Sequence, residues 1–106
     1  MVGDVFGSKS NSDVWASESN SAWEIGKNYL IRTVTMTDTG RLVIVTKHEL
    51  VLEDAAWIAD SGRWMEAVRD GSFSEVEPFP DGARVIIGRG AVIDAVQIKT
   101  LPRKQV

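Results

Sequence analysis

The chain contains no cysteine and a single histidine, His48. The first absence excludes a disulfide scaffold, a thiol nucleophile and a cysteine-type zinc site. The second means that a histidine-rich metal site would have to be shared between subunits. No apolar run approaches the ~20 residues a membrane-spanning helix needs. No basic stretch followed by an apolar segment opens the sequence, so no secretory signal is expected. Basic residues are outnumbered, 12 Lys and Arg against 15 Asp and Glu, for a net charge of −3. That balance argues against a nucleic-acid binder driven by electrostatics. What is present, 43% hydrophobic and 25% charged residues in 106, fits one globular domain.

The composition changes near residue 25. Residues 1–24 are rich in Ser and Asn, and their apolar residues follow no helical or strand period. Two tryptophans and a phenylalanine (Trp15, Trp23 and Phe6) are nevertheless unusual for a purely solvated tail. Burying an aromatic side chain contributes about 1.5–3 kcal/mol. Two or three such anchors offset part of the ordering cost of the arm, about 1–2 kcal/mol per residue. The expected organisation is an extended arm over residues 1–24, a small β domain over 25–100 and a basic, solvated tail over 101–106.

From Asn28 onward the pattern is that of strands. The run NYLIRTVTMT (28–37) is rich in β-branched and aromatic residues. Asp38-Thr39-Gly40 reads as a turn. RLVIVT (41–46) and ELVLE (49–53) complete a meander, with Lys47-His48 as the second turn. Residues 54–60 read as a strand end or a helical turn. Ser61 is positioned to cap a helix over 63–69, with Trp64, Ala67 and Val68 on one face and Gly71 ending it. Pro78, Pro80, Asp81 and Gly82 predict a rigid connection. Two strands follow, 83–87 and 91–98, with Gly88-Arg89-Gly90 as a turn or bulge between them. The fold class is therefore mainly β: a small five-stranded barrel or sandwich with one short helix and an extended N-terminal arm. A core this small is marginal alone, which makes oligomerisation a physical expectation.

Candidate chemistry is sparse. Glu53, Asp54 and Asp60 cluster in sequence but lack the alternating ligand spacing and central glycine of a calcium loop. They read as acids that cap a turn or pair with Arg63. His48 has only the adjacent Glu49 as a partner, and neighbouring strand residues point to opposite faces. Gly88-Arg89-Gly90 exposes backbone N–H groups beside a charge, yet lacks the context of a phosphate loop. Trp57 and Trp64 flank Arg63, and Trp and Arg are the residue types richest in interface hot spots. Trp57, within Ala-Ala-Trp-Ile-Ala, reads as core; Trp64 reads equally as core or contact surface. No nucleophile, base and orienting group can be assembled. The expectation is no catalytic residue, no metal and no cofactor, with Phe6, Trp15, Trp23, Trp57, Arg63, Trp64 and Arg89 as interface or binding residues.

Four segments, GKNYLIRTVT (26–35), TGRLVIVTKHELVLEDAAWIAD (39–60), SEVEPFPDG (74–82) and GRGAVIDA (88–95), resemble a group of small proteins encoded by tailed phages and prophages. LEDAAWIAD followed by SGRW carries most of that resemblance. The strand–Gly–strand–turn–LVLEDA pattern is also similar, more loosely, to Sm-like and other small β-barrels, which bears on fold class alone. The phage resemblance implies a location in the host cytoplasm or the virion, and names no catalytic residues. In that setting, the small β domain with its aromatic-anchored arm points to a self-associating structural protein, virion-associated or capsid-decorating, whose partners are copies of itself and a phage capsid or tail protein. The alternative is an anti-defence factor that binds a host defence protein or sequesters a nucleotide, with Arg63 and Arg89 on phosphate and Trp64 stacked on the base. Neither role involves a membrane, and a third reading, a small β-barrel that binds nucleic acid, is disfavoured by the net charge of −3 although charge can be segregated locally.

Overall fold

The computed structural model describes residues 21–106. They form six antiparallel strands and one α-helix: β1 (Asn28–Thr33), β2 (Thr37–Val45), β3 (Glu49–Asp60), α1 (Trp64–Asp70), β4 (Glu75–Pro78), β5 (Val85–Gly88) and β6 (Val92–Gln97). A 3-10 turn, Arg89–Ala91, joins β5 to β6. The order is β4-β3-β2-β1-β6, with β5 also on β3. The last residues of β3 pair with β4 and its first with β5, so the two short strands lie along one edge of the long one.

Two expectations are corrected here. The sheet has six strands and not five, and it is open, since β6 at one end does not meet β4 or β5 at the other. The apolar residues of β1–β3 are buried on both faces of this open sheet. One face gathers Tyr29, Ile31, Leu42, Leu50, Leu52 and Ile87, with Phe79 and Trp23 packed around them. The other gathers Leu30, Ala56, Ile58 and Val76 with Ala67 of α1 and with Phe73 and Ile98 from the flanking segments.

β3 supplies both faces because it contains an extra residue. Arg41 pairs with Glu53 and Leu42 with Leu52, whereas Thr39 pairs with Ala56 and Asp38 with Trp57. Asp54 takes up the excess at a positive φ of 51°, a conformation unusual for a residue with a side chain. The bulge reverses which face the following residues occupy. Leu50 and Leu52 join the first cluster, and Ala56 and Ile58 join the cluster under α1.

The first turn also differs from expectation. Residues 34–36 turn the chain, and Asp38-Thr39-Gly40 is buried mid-strand in β2. Thr33 fixes the turn: its Oγ1 accepts from the Met36 N–H at 3.0 Å, and its own N–H donates to the Met36 carbonyl at 2.7 Å. Gly40 is needed for proximity instead, because a Cβ there would lie 2.8 Å from Leu52 Cβ. The helix matches its expected face and its end. Gly71, at φ 70°, donates its N–H to the Ala67 carbonyl at 2.9 Å. Ser61 does not cap it; Arg63 occupies the N-cap without a side-chain hydrogen bond.

The C-terminal residues are structural, contrary to the expectation of a solvated tail. Leu101 packs on the cluster under α1. Arg103 donates through Nη1 to the Ala55 carbonyl at 2.5 Å and through Nη2 to the Phe79 carbonyl at 3.0 Å. Val106 exchanges backbone hydrogen bonds with Val76 at 3.2 and 3.4 Å, covering the outer edge of β4. No helix among the described residues is long and apolar enough to cross a membrane.

Two stability predictions follow from these contacts. Gly40→Ala forces a methyl group against Leu52 and should cost about 1–3 kcal/mol in urea unfolding. Arg103→Ala removes charge-assisted hydrogen bonds to buried carbonyls and should cost about 2 kcal/mol in the same measurement.

Candidate protein-binding surface

β6 is the exposed end of the sheet. Its sequence, VIDAVQ, has one charge and no proline, and its pairing with β1 is regular from Asp94 to Gln97, with Ile93 as an extra residue before it. The charge is already engaged. Asp94 receives two hydrogen bonds from Arg32 of β1, from Nε at 2.8 Å and from Nη2 at 2.5 Å. Those bonds hold the Asp94 carboxyl below the usual carboxylate range. The Arg32 guanidinium lies 5.4 Å from the Trp64 ring centroid, in cation–π geometry.

Grooves flank β6 on both faces. One, of about 540 Å³, runs between Trp23 and Tyr29 on one side and Ile93, Ala95 and Gln97 on the other. The second, of about 300 Å³, is lined by Trp64, Met65, Val68, Asp94 and Val96. A third cleft near the β1–β2 turn brings Val34, Met36, Trp57 and Ile93 together beside Arg32. Several of these side chains are largely open to solvent: Val34 at 72%, Met65 at 67% and Ile93 at 60%. Clustered exposure of this kind marks an interaction surface more than isolated apolar residues do.

The residues singled out from the sequence fall in several places. Phe6 and Trp15 lie outside the described residues. Trp23 docks on its own domain, where its ring meets Tyr29 at 5.1 Å in an edge-to-face arrangement. Tyr29 Oη accepts from the Glu24 N–H at 2.9 Å and from Gln97 Nε2 at 3.1 Å, tying this segment to β1 and β6. Trp57 is 38% exposed and not core, because the bulge turns Ala56 and Ile58 toward the helix and Trp57 to the other face. Trp64 is half-buried against the core under α1.

Arg63 and Arg89 do not converge. Arg63 follows the C-terminal end of β3. Arg89 sits by its N-terminal end, donating through Nη1 to the Thr46 carbonyl at 2.7 Å and through its backbone N–H to the His48 carbonyl at 2.9 Å. Arg41 and Arg84 meet at Glu53, at 3.1 and 3.0 Å, and Arg41 also pairs with Asp54. Glu53 and Asp54 thus serve these arginines, while Asp60 accepts the Gly62 N–H at 2.8 Å and ends β3. Among the described residues no group of acids and histidine is arranged to hold a metal ion. No family model, curated protein or solved structure matches the chain.

Sequence reasoning passed over Arg32, Met65, Ile93 and Asp94. The available signal was the near absence of charge in VIDAVQ beside a terminal strand position, and that position becomes known only with the sheet order.

One buried ionisable group stands apart from this surface. Asp38 is 6% exposed between Ile31 and Trp57, and its Oδ1 has no hydrogen-bond partner among the described residues. Burial pushes its carboxyl up to about 6. The folded state therefore holds this proton where the unfolded chain, near 3.9, has lost it. Stability from this group is full below about pH 4 and falls by about 2–3 kcal/mol as pH rises through 6. Asp38→Asn should remove that fall, read as the difference in urea midpoint between pH 4.5 and pH 7.5.

Proposed function

We propose that the chain is a non-enzymatic, self-associating structural protein of phage or prophage type, virion-associated or capsid-decorating. It assembles through its N-terminal arm and its β domain. The observation that carries this reading is the open edge of β6 with an apolar groove on each face. The segmental resemblance across residues 26–95 supports the phage setting. The arm contributes two further aromatic side chains, Phe6 and Trp15, to a protein whose exposed surface already displays Ile93, Met65 and Val34. The mechanism is burial of apolar area with polar registration, and needs no bond to be made or broken.

The nucleotide-sequestering alternative has less support. The larger groove is lined by no Lys or Arg, and its one acid, Asp94, is paired with Arg32, so it offers a phosphate no cation. Arg32, Arg41 and Arg84 are each bound to a carboxylate.

The test compares the solution mass of the full chain with that of a chain beginning at Ser21, which retains the Trp23–Tyr29 packing. The expected result is a defined oligomer that falls to monomer on truncation while its thermal midpoint stays close to that of the full chain. A full-length monomer at all concentrations, or an oligomer that ignores the truncation, would overturn the reading.

A further inference from the structure

The open edge of β6 and the start of the described chain lie side by side, which identifies a specific occupant. We propose that residues Ser12–Ala16 of one copy add as an extra strand to β6 of a second copy, with Trp15 in the larger groove and Val14 in the smaller. The proposal rests on the self-association reading and specifies its interface.

Four observations support it. First, β6 ends the strand order, its one charge is occupied by Arg32, and it pairs regularly with β1 from Asp94 to Gln97, so the outer side of that stretch is available for strand addition. Secondly, the grooves lie on opposite faces of β6. Consecutive residues of an added strand point to opposite faces, so the adjacent pair Val14-Trp15 delivers one apolar side chain to each groove. The larger groove already carries Trp23 and Tyr29 in edge-to-face contact, a wall that suits a third ring. Thirdly, within the first 20 residues Ser12–Ala16 combines an aromatic and a β-branched residue without glycine or proline. The other apolar stretch, Val2–Phe6, is interrupted by Gly3.

The fourth observation concerns the partner. All strand pairs in this sheet are antiparallel. An antiparallel addition puts Ala16 at the Val92 end of β6. Ser21–Glu24 are anchored at the other end, where Gln97 Nε2 meets Glu24 Oε2 at 3.2 Å. Five residue steps from Ala16 to Ser21 reach roughly 17 Å when fully extended, which is about the length of β6 itself. Within one chain the link would be taut, with nothing left to make the turn. The arm of a second copy meets no such limit, and reciprocal exchange gives a closed two-fold dimer.

The absence of native cysteine makes engineered thiols specific reporters. A tagged full-length chain carrying Ala16→Cys is mixed with an untagged full-length chain carrying Ile93→Cys and treated with a short bismaleimide. The expected product is a crosslinked species containing one copy of each. In an otherwise unaltered chain, Trp15→Ala should raise the dimer dissociation constant at least tenfold, with the thermal midpoint at high protein concentration showing that the domain is folded. A chain carrying both cysteines that links only within itself, at every concentration, would mean docking in cis and would overturn the proposal. An assembled protein with no link between these positions would also overturn it, while leaving self-association intact. A protein that is monomeric throughout removes both readings.

Discussion

The extra residue at Asp54 is the constraint on which most of this fold depends. Without it, the alternation begun by Leu50 and Leu52 would carry Asp54 and Ala56 into the same cluster and turn Ala55 and Trp57 toward α1. A buried aspartate would then replace Ala55, and the helix would lose Ala56 and Ile58. The bulge exchanges that outcome for a local cost, a non-glycine residue at φ 51°, of order 1–3 kcal/mol. Its surroundings are built to hold it. Arg41 grips Asp54 and Glu53 from β2. Gly40 lets β2 approach Leu52 and Ala55. The Ala55 carbonyl, displaced from the regular ladder, accepts both the Phe79 N–H at 2.9 Å and Arg103 Nη1. The C-terminal segment is thus tied to the middle of β3, and this explains why a stretch that looks solvated in sequence is structural.

What the sequence disclosed follows the same division between local and non-local causes. The Thr46–Glu49 turn was legible because its chemistry is contained in four residues: Thr46 Oγ1 accepts the Glu49 N–H at 2.9 Å. The helix face and its glycine stop were legible for the same reason. Gly40 was misread as a turn because a glycine required by a neighbouring strand looks the same in sequence as one required by φ. β4 was missed because Glu75–Pro78 is only four residues long and ends in a proline, so its E-V-E-P alternation is too short to stand out without the pairing with β3. A barrel or sandwich was expected, whereas the sheet stays open and α1 with the C-terminal segment covers one of its faces.

The same distinction governs the candidate site. Trp and Arg were sound guides to residue type, since Trp64 with Arg32 and Trp23 with Tyr29 border β6. They were poor guides to convergence, because Arg63 and Arg89 are separated by the length of β3. Most arginines of this chain that pair with carboxylates do so across strands or loops. Such pairs are worth little individually at a surface, but they leave few of these cations to attract an anionic ligand. The apolar side chains around β6 are not balanced in this way. At the β4 end Val106 pairs with Val76, whereas β6 has no covering segment among the described residues and no lysine or proline, its one irregularity being the extra residue Ile93 opposite the Arg32–Thr33 step. In the proposed assembly the open edge of β6 sets where the next chain binds, and its two grooves set the register in which that chain is accepted.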